Sequence, residues 1–340
     1  MRKWTIMAVA AGVASAAAGQ WSFGGYELDY EGISAVGKGV FEAVAPEEVK
    51  AEWEVADAAT IKAQLEGILG AFQGESLAGL AAWEGTAKGL VAAMGGMPGW
   101  EAWGEWLGNR LDFMEVAGEL QGRSQESGVR SEGGMGGTAG GKTGGTLGVG
   151  AKPPSAGGTP AAPVAKVDEN EAAVAAFMKK LPAAAPAKAG TLVGPCKRIF
   201  REAGLPEELV WQAEVESSWN PSARSPAGAA GLYQFMAPSA EENGLKTSPV
   251  DQRLDAMLCA GAAARYLKKL HGRFGDWALA LAAYNTGPGR VNKLLRETGG
   301  TGFGDIRGRL SAETKLYVPK IDALVRLREG KRLADLPGPR

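Results

Sequence analysis

A single acidic side chain carries most of the chemistry this sequence offers. Glu216 closes an apolar helical run that opens at Leu205-Pro206-Glu207-Glu208 and is stopped by Asn220-Pro221, which places it in the last helical turn. The negative end of a helix dipole disfavours another negative charge and pushes the carboxyl pKa upward, and burial among Trp219, Tyr284 and Tyr317 would push it further. A glutamic acid that keeps its proton near neutral pH can act as a general acid. The competing reading is a solvated Glu at a helix end with no role. Sequence separation does not bring positions 216, 234, 284 and 317 together, so the fold must.

Other chemistries find little material. One histidine, His271, gives a poor basis for a Ser-His-Asp mechanism, and one His with two Cys cannot build a four-ligand zinc site unaided. Neither a metal nor a cofactor is expected. Gly136-Gly137-Thr138-Ala139-Gly140-Gly141-Lys142-Thr143 matches the phosphate-loop pattern formally. That loop works only between a strand and a helix, and this one sits in low-complexity sequence with neither flank, so no nucleotide site is assigned. Lys+Arg 37 against Asp+Glu 38 gives no global sign of nucleic-acid binding.

The elements that must position Glu216 belong to a chain of 340 residues, 45% hydrophobic, with room for two domains. Its charge is unevenly divided: residues 1–165 carry 11 Lys+Arg and 19 Asp+Glu, a net −8, whereas 166–340 carry 26 and 19, a net +7. A salt-sensitive docking of the first half on the second is one consequence such an asymmetry allows. Residues 1–19 read as an export signal, with Arg2-Lys3, an uncharged stretch from Trp4 to Ala18, and Ala16-Ala17-Ala18 for cleavage. The stretch is Ala-rich and short for a membrane span, and no Cys follows it for lipidation, so the expectation is the periplasm or cell envelope without a stable membrane anchor. In an oxidising compartment Cys196 and Cys259 become a candidate disulfide; two buried thiols are the alternative.

Residues 20–121 predict a small helical bundle. Apolar residues recur at helical spacing (Val49, Trp53, Ala56; Ile61, Leu65, Ile68, Phe72; Leu77, Leu80, Trp83; Trp100, Trp103, Leu107, Leu111, Met114), giving three amphipathic helices broken at Gly74 and at Gly95–Gly99. Trp at this spacing reads as packing, so the bundle is assigned no chemistry and stands as a candidate module for a protein partner. Residues 122–190 read as a linker with room for a short helix: fourteen glycines fall between Gly122 and Lys166, and an Ala/Pro hinge runs from Pro182 to Gly190. Residues 191–330 form the last domain, helix after helix, with Asp276 capping one that starts at Trp277, another starting near Ser311, and Pro319 placed to kink it. Residues 331–340 are a polar tail. The fold class is all-α.

Within 205–328 several separated runs resemble the lytic transglycosylases with a goose-type lysozyme-like (SLT) domain, most closely the membrane-bound type D branch. They are Leu205-Pro206-Glu207-Glu208-Leu209, Glu216-Ser217, Asn220-Pro221, Ser225 to Gln234, Ala283-Tyr284-Asn285-Thr286-Gly287-Pro288-Gly289-Arg290-Val291, and Glu313-Thr314-Lys315-Leu316-Tyr317-Val318-Pro319-Lys320. The resemblance implies that Glu216 is a single catalytic acid/base acting on peptidoglycan glycan strands, with no second carboxylate. It implies substrate-site roles for Ser217, Gly231, Leu232, Tyr233 and Gln234, the last recognising an N-acetyl group, and for Tyr284 and Tyr317 as cleft-lining phenols with Asn285 supporting the turn. Each has a plainer alternative: a helix-end hydroxyl, a loop-pinning amide, core tyrosines. Ala237-Pro238-Ser239 departs from the family pattern by one position, and no sugar-binding repeats follow the last domain. The nearest competing activity is a hydrolytic muramidase with Glu313 activating water; a non-catalytic glycan-binding protein is the competitor from another class.

Overall fold

The computed structural model describes residues 4–6, 21–23, 26–28, 53–55, 58–94, 101–132 and 168–340. Four three-residue strands lie near the start: β1 (Trp4–Ile6), β2 (Trp21–Phe23), β3 (Tyr26–Leu28) and β4 (Trp53–Val55). β1 pairs in parallel with β4, with Trp4 opposite Trp53, and β2 pairs antiparallel with β3. Everything else with regular structure among the described residues is helical. The helices are α1 (Ala58–Gln73), α2 (Leu77–Ala81), α3 (Glu84–Met94), α4 (Glu101–Gly108), α5 (Leu111–Glu132), α6 (Glu169–Lys180), α7 (Ala189–Glu202), α8 (Gln212–Ser217), α9 (Ala237–Glu242), α10 (Ala256–Phe274), α11 (Trp277–Thr286), α12 (Pro288–Thr298), α13 (Phe303–Arg307) and α14 (Ala312–Glu329). None of them is long and apolar enough to cross a membrane.

Local chemistry sets the boundaries. Asp168, Asp255, Asp276 and Ser311 each accept a backbone N–H at the start of α6, α10, α11 and α14, at 2.9, 2.9, 2.7 and 3.2 Å. Gly275 and Gly330 end α10 and α14 in the left-handed conformation that only glycine adopts freely. Small side chains at Ala260, Ala263 and Ala264 let α10 pack closely against α7 and α11. The proline at 319 lies inside α14, which continues to Glu329.

Several expectations shift. Trp53 lies in β4 rather than in a helix, because Trp and Val suit an extended strand as readily as a helix. The predicted three helices of the bundle are five pieces from 58 onward, since Ser76 caps a separate short helix after Gly74. α5 runs to Glu132, eleven residues into the stretch read as linker from 122. Within that stretch the short helix is α6. Most of residues 1–19 and the phosphate-loop match at 136–143 lie outside the described residues. The disulfide is not formed: Cys196 and Cys259 are both free, buried thiols. Burial pushes each thiol up to about 12, so each packs as a small apolar side chain.

One continuous hydrophobic core joins the two sides of the glycine-rich stretch, running from Leu65, Phe72 and Phe113 through Phe177 to Leu232, Leu281 and Leu324. Polar contacts stitch the same boundary. Ala312 N–H donates to the Gly74 carbonyl at 2.6 Å, and Lys315 Nζ to the Glu75 carbonyl at 2.5 Å. Lys320 pairs with Asp112 at 2.8 Å, Arg290 with Glu75 at 3.5 Å and Arg110 with Glu313 at 3.3 Å. Two of these three ion pairs set acid from the first half against base from the second, the sense of the sequence's charge asymmetry.

Candidate active site

The turn that presents Glu216 is built from strained backbone. A 3₁₀ turn (Glu207–Trp211) leads into α8, which stops at Ser217 rather than at Asn220-Pro221. Ser218 (φ 49°) and Trp219 (φ 62°) are both left-handed, an uncommon state for residues with a side chain. Their N–H groups close the helix end on the Glu214 and Ala213 carbonyls, at 3.1 and 3.2 Å. The buried indole of Trp219 holds the turn in place, edge-on to Trp211 at 5.5 Å. Strain of this kind persists only where surrounding packing over-determines it, and here it falls directly after the acid.

Glu216 is 9% exposed. The Tyr317 hydroxyl donates a short hydrogen bond to its Oε1, and Gln212 Nε2 donates to the same oxygen at 3.5 Å while also reaching the Tyr317 oxygen at 2.9 Å. Both donors converge on Oε1, which leaves Oε2 as the natural seat of a proton. Burial raises the carboxyl pKa to about 7; the Tyr317 hydrogen bond and then the Arg110 charge pull it down, while the Glu313 charge pushes it up. Loss of solvent is thus the leading cause of the upward shift. Burial and the neighbouring Glu216 charge hold the Tyr317 phenol well above its ordinary range, so it stays a donor.

Glu216 opens on a cavity of about 260 Å³, lined also by Gln234, Tyr284, Asn285 and Glu313. Gln234, again left-handed at φ 48°, commits its Nε2 to the Gly231 and Ala223 carbonyls at 2.9 and 3.2 Å, so the group it can offer a ligand is its carbonyl oxygen. The Tyr284 hydroxyl donates to the Tyr233 carbonyl at 2.8 Å, and its ring packs on Tyr266 and Phe235 at 5.2 and 5.8 Å. Asn285 Oδ1 accepts from Thr314 Oγ1 at 2.6 Å, which ties the end of α11 to the start of α14.

The remaining candidate residues stand behind this surface. Ser217 Oγ donates to the Leu232 carbonyl at 2.9 Å and accepts from Asn220 N–H at 3.2 Å, joining α8 to the loop that carries Gln234. Leu232 and Tyr233 are fully buried, and Tyr317 meets Glu216 from the core side rather than lining the cavity. Gly231 adopts φ 85°, and a Cβ there would lie 1.7 Å from the Arg253 carbonyl oxygen; the position admits no side chain.

Sequence reasoning missed two groups at this site. Gln212 sits one helical turn before Glu216, a spacing that marks side-chain neighbours on a helix and could have found it. Arg110, together with Phe72 and Trp106, enters the same cavity from the bundle to which no chemistry was assigned. Nothing in the local sequence of α1 or α4 signals that placement.

Residues 198–305 match the family model described as the Transglycosylase SLT domain. The match covers about a third of the chain. The all-α class expected for this region stands in the helices described above. Glu216, Gln234, Tyr284 and Asn285 lie inside the SLT domain's matched span; Glu313 and Tyr317 follow it. The membrane-bound lytic murein transglycosylase D of Escherichia coli strain K12 is 39% identical over 130 residues, 36% of this chain and 28% of the relative. The membrane-bound lytic murein transglycosylase F of Saccharophagus degradans is 38% identical over 113 residues, 29% of this chain and 21% of the relative. The chain therefore spans under a third of the length of these relatives. Among solved structures, the 70 kDa soluble lytic transglycosylase SLT70 of Escherichia coli is 26% identical, with 50% of this chain and 29% of that one covered and a TM-score of 0.38.

Proposed function

We propose that the protein is a peptidoglycan lytic transglycosylase, cleaving the β-1,4 bond between N-acetylmuramic acid and N-acetylglucosamine without water and leaving 1,6-anhydromuramic acid ends. One observation carries this reading. A single buried carboxyl within the matched span, ionising at about 7 and fixed on one oxygen by uncharged donors, faces the cavity. Such a group is protonated often enough to donate and ionised often enough to accept.

Glu216 Oε2 gives its proton to the glycosidic oxygen as that oxygen leaves C1 of the muramoyl residue. The substrate's own acetamido oxygen bonds to C1 and spreads the positive charge. The Glu216 carboxylate then takes the proton of the C6 hydroxyl, O6 displaces the acetamido oxygen at C1, and the acid is restored. Tyr317 holds the carboxyl through both turns, and the Gln234 carbonyl oxygen suits an acetamido N–H. The same proposal places the protein in the periplasm or cell envelope after export through residues 1–19, with the glycan strand as its partner.

Mass spectrometry of peptidoglycan digested with the full chain tests this: anhydro ends are expected, and reducing ends alone refute the lytic reaction. A second reading, hydrolysis, has one observation in its favour, because Glu313 lines the same cavity. Its Oε1 accepts from Arg110 Nε and Nη2 at 3.4 and 3.3 Å.

A further inference from the structure

We infer that Arg110, delivered by the N-terminal helices, is a specificity-determining residue of the cleft, which binds a carboxylate carried by the muramoyl residue of the glycan. The inference rests on the function proposed above and names the part of the substrate this position reads. Arg110 lies outside the matched SLT span, yet it lines the cavity that contains Glu216. Its side chain is only 11% exposed. A cation taken that far from water needs an anion, and the one it has is loosely held: Glu313 Oε1 takes Nε and Nη2 at 3.4 and 3.3 Å, and the Trp106 carbonyl takes Nη1 at 3.4 Å. All three distances lie beyond the ordinary 2.7–2.9 Å range of charge-assisted bonds. A guanidinium has five N–H donors, so capacity remains for a ligand carboxylate.

The neighbourhood fixes the group's plane. Its guanidinium carbon stands 4.8 Å over the Trp106 ring, and that ring is braced edge-on by Phe72 at 5.7 Å and Trp103 at 6.1 Å. A planar fork backed by an aromatic face is the arrangement that favours two-point recognition of a carboxylate, where a lysine would offer a point charge. Among the described residues the rest of the cavity lining is uncharged apart from the carboxyl groups of Glu216 and Glu313. Arg110 is thus the cavity-lining cation to which a carboxylate can bind.

Two sources supply that chemistry: the lactyl carboxylate of a peptide-free strand, or the carboxylates of a stem peptide attached to it. Affinity is measured by calorimetry on the full chain carrying Glu216→Gln, which separates binding from turnover. The probes are a peptide-free N-acetylglucosamine–N-acetylmuramic acid tetrasaccharide, its carboxyl methyl ester, and the tetrasaccharide with stem peptides intact. The ester is expected to bind about tenfold more weakly than the free acid, or than the peptide-bearing form if the peptide is the source. Arg110→Gln in the same background is expected to erase that ratio, and Arg110→Lys to keep part of it. Equal affinity for all three probes overturns the inference without any Arg110 variant, and so does a ratio that survives Arg110→Gln. Failure of the underlying function reads out differently, as release of no soluble fragments from peptidoglycan by the wild-type chain.

Discussion

The raised ionisation of Glu216 must be visible in stability as well as in rate. The folded carboxyl titrates at about 7, against 4.5 for the ordinary group, so the native state binds this proton more tightly than the unfolded chain. The associated stabilisation is complete below 4.5, shrinks as pH rises from there to 7, and is lost above 7, where the native state must hold a buried carboxylate. At about 1.4 kcal/mol per pH unit the difference is about 3 kcal/mol. Glu216→Gln removes the titration while its amide oxygen can still accept from Tyr317. Every other titrating group is common to both proteins and cancels in the comparison. The variant is therefore expected to gain about 3 kcal/mol on the wild type between pH 4 and pH 8.5, roughly 6–12 °C in melting temperature for a folded body of this size. Thermal and urea unfolding of both proteins across that range make the measurement. Parallel pH curves would refute the claim that Glu216 is held neutral by burial.

The same proton governs rate: kcat/KM is expected to fall about tenfold per pH unit above pH 7. Tyr317→Phe removes the hydrogen bond that favours the carboxylate form, so the alkaline limb should move to higher pH while the rate drops roughly tenfold; an unmoved limb would contradict the assigned contact. Gly231→Ala places a Cβ against the Arg253 carbonyl at a left-handed position and is expected to cost more than about 3 kcal/mol, read from the urea midpoint. Cys196 and Cys259 should react with thiol reagents only after denaturation, and a reductant should leave the melting temperature unchanged.

What was legible in the sequence was what local chemistry dictates. Asp276 and Ser311 announce helix starts because their side chains replace missing backbone partners, and both do so in the structure. Glu216 was placed in a last helical turn by the residues around it, and α8 ends one residue later. The upward direction of its pKa shift was expected from the helix end together with burial among aromatic residues; burial is the leading cause, and burial is a property of the assembled core. Where long-range packing decides, the sequence was silent. Ser217, Leu232 and Tyr233 lie beneath the cavity surface because their partners are distant backbone carbonyls and core side chains. Arg110 entered the cavity through an interface that no helical periodicity encodes, since the pattern that buries Leu107 and Met114 says nothing of which neighbour they bury against.

The shared core changes what the glycine-rich stretch is for. Both of its ends are anchored in one folded body: α5 and α6 pack on each other, and Lys180 on α6 pairs with Glu115 and Glu119 on α5 at 3.3 and 3.1 Å. The described residues on either side of 133–167 thus belong to one folded body rather than to independent parts. A backbone cut between 133 and 167 breaks no contact among the described residues, and the two pieces should travel as a single particle.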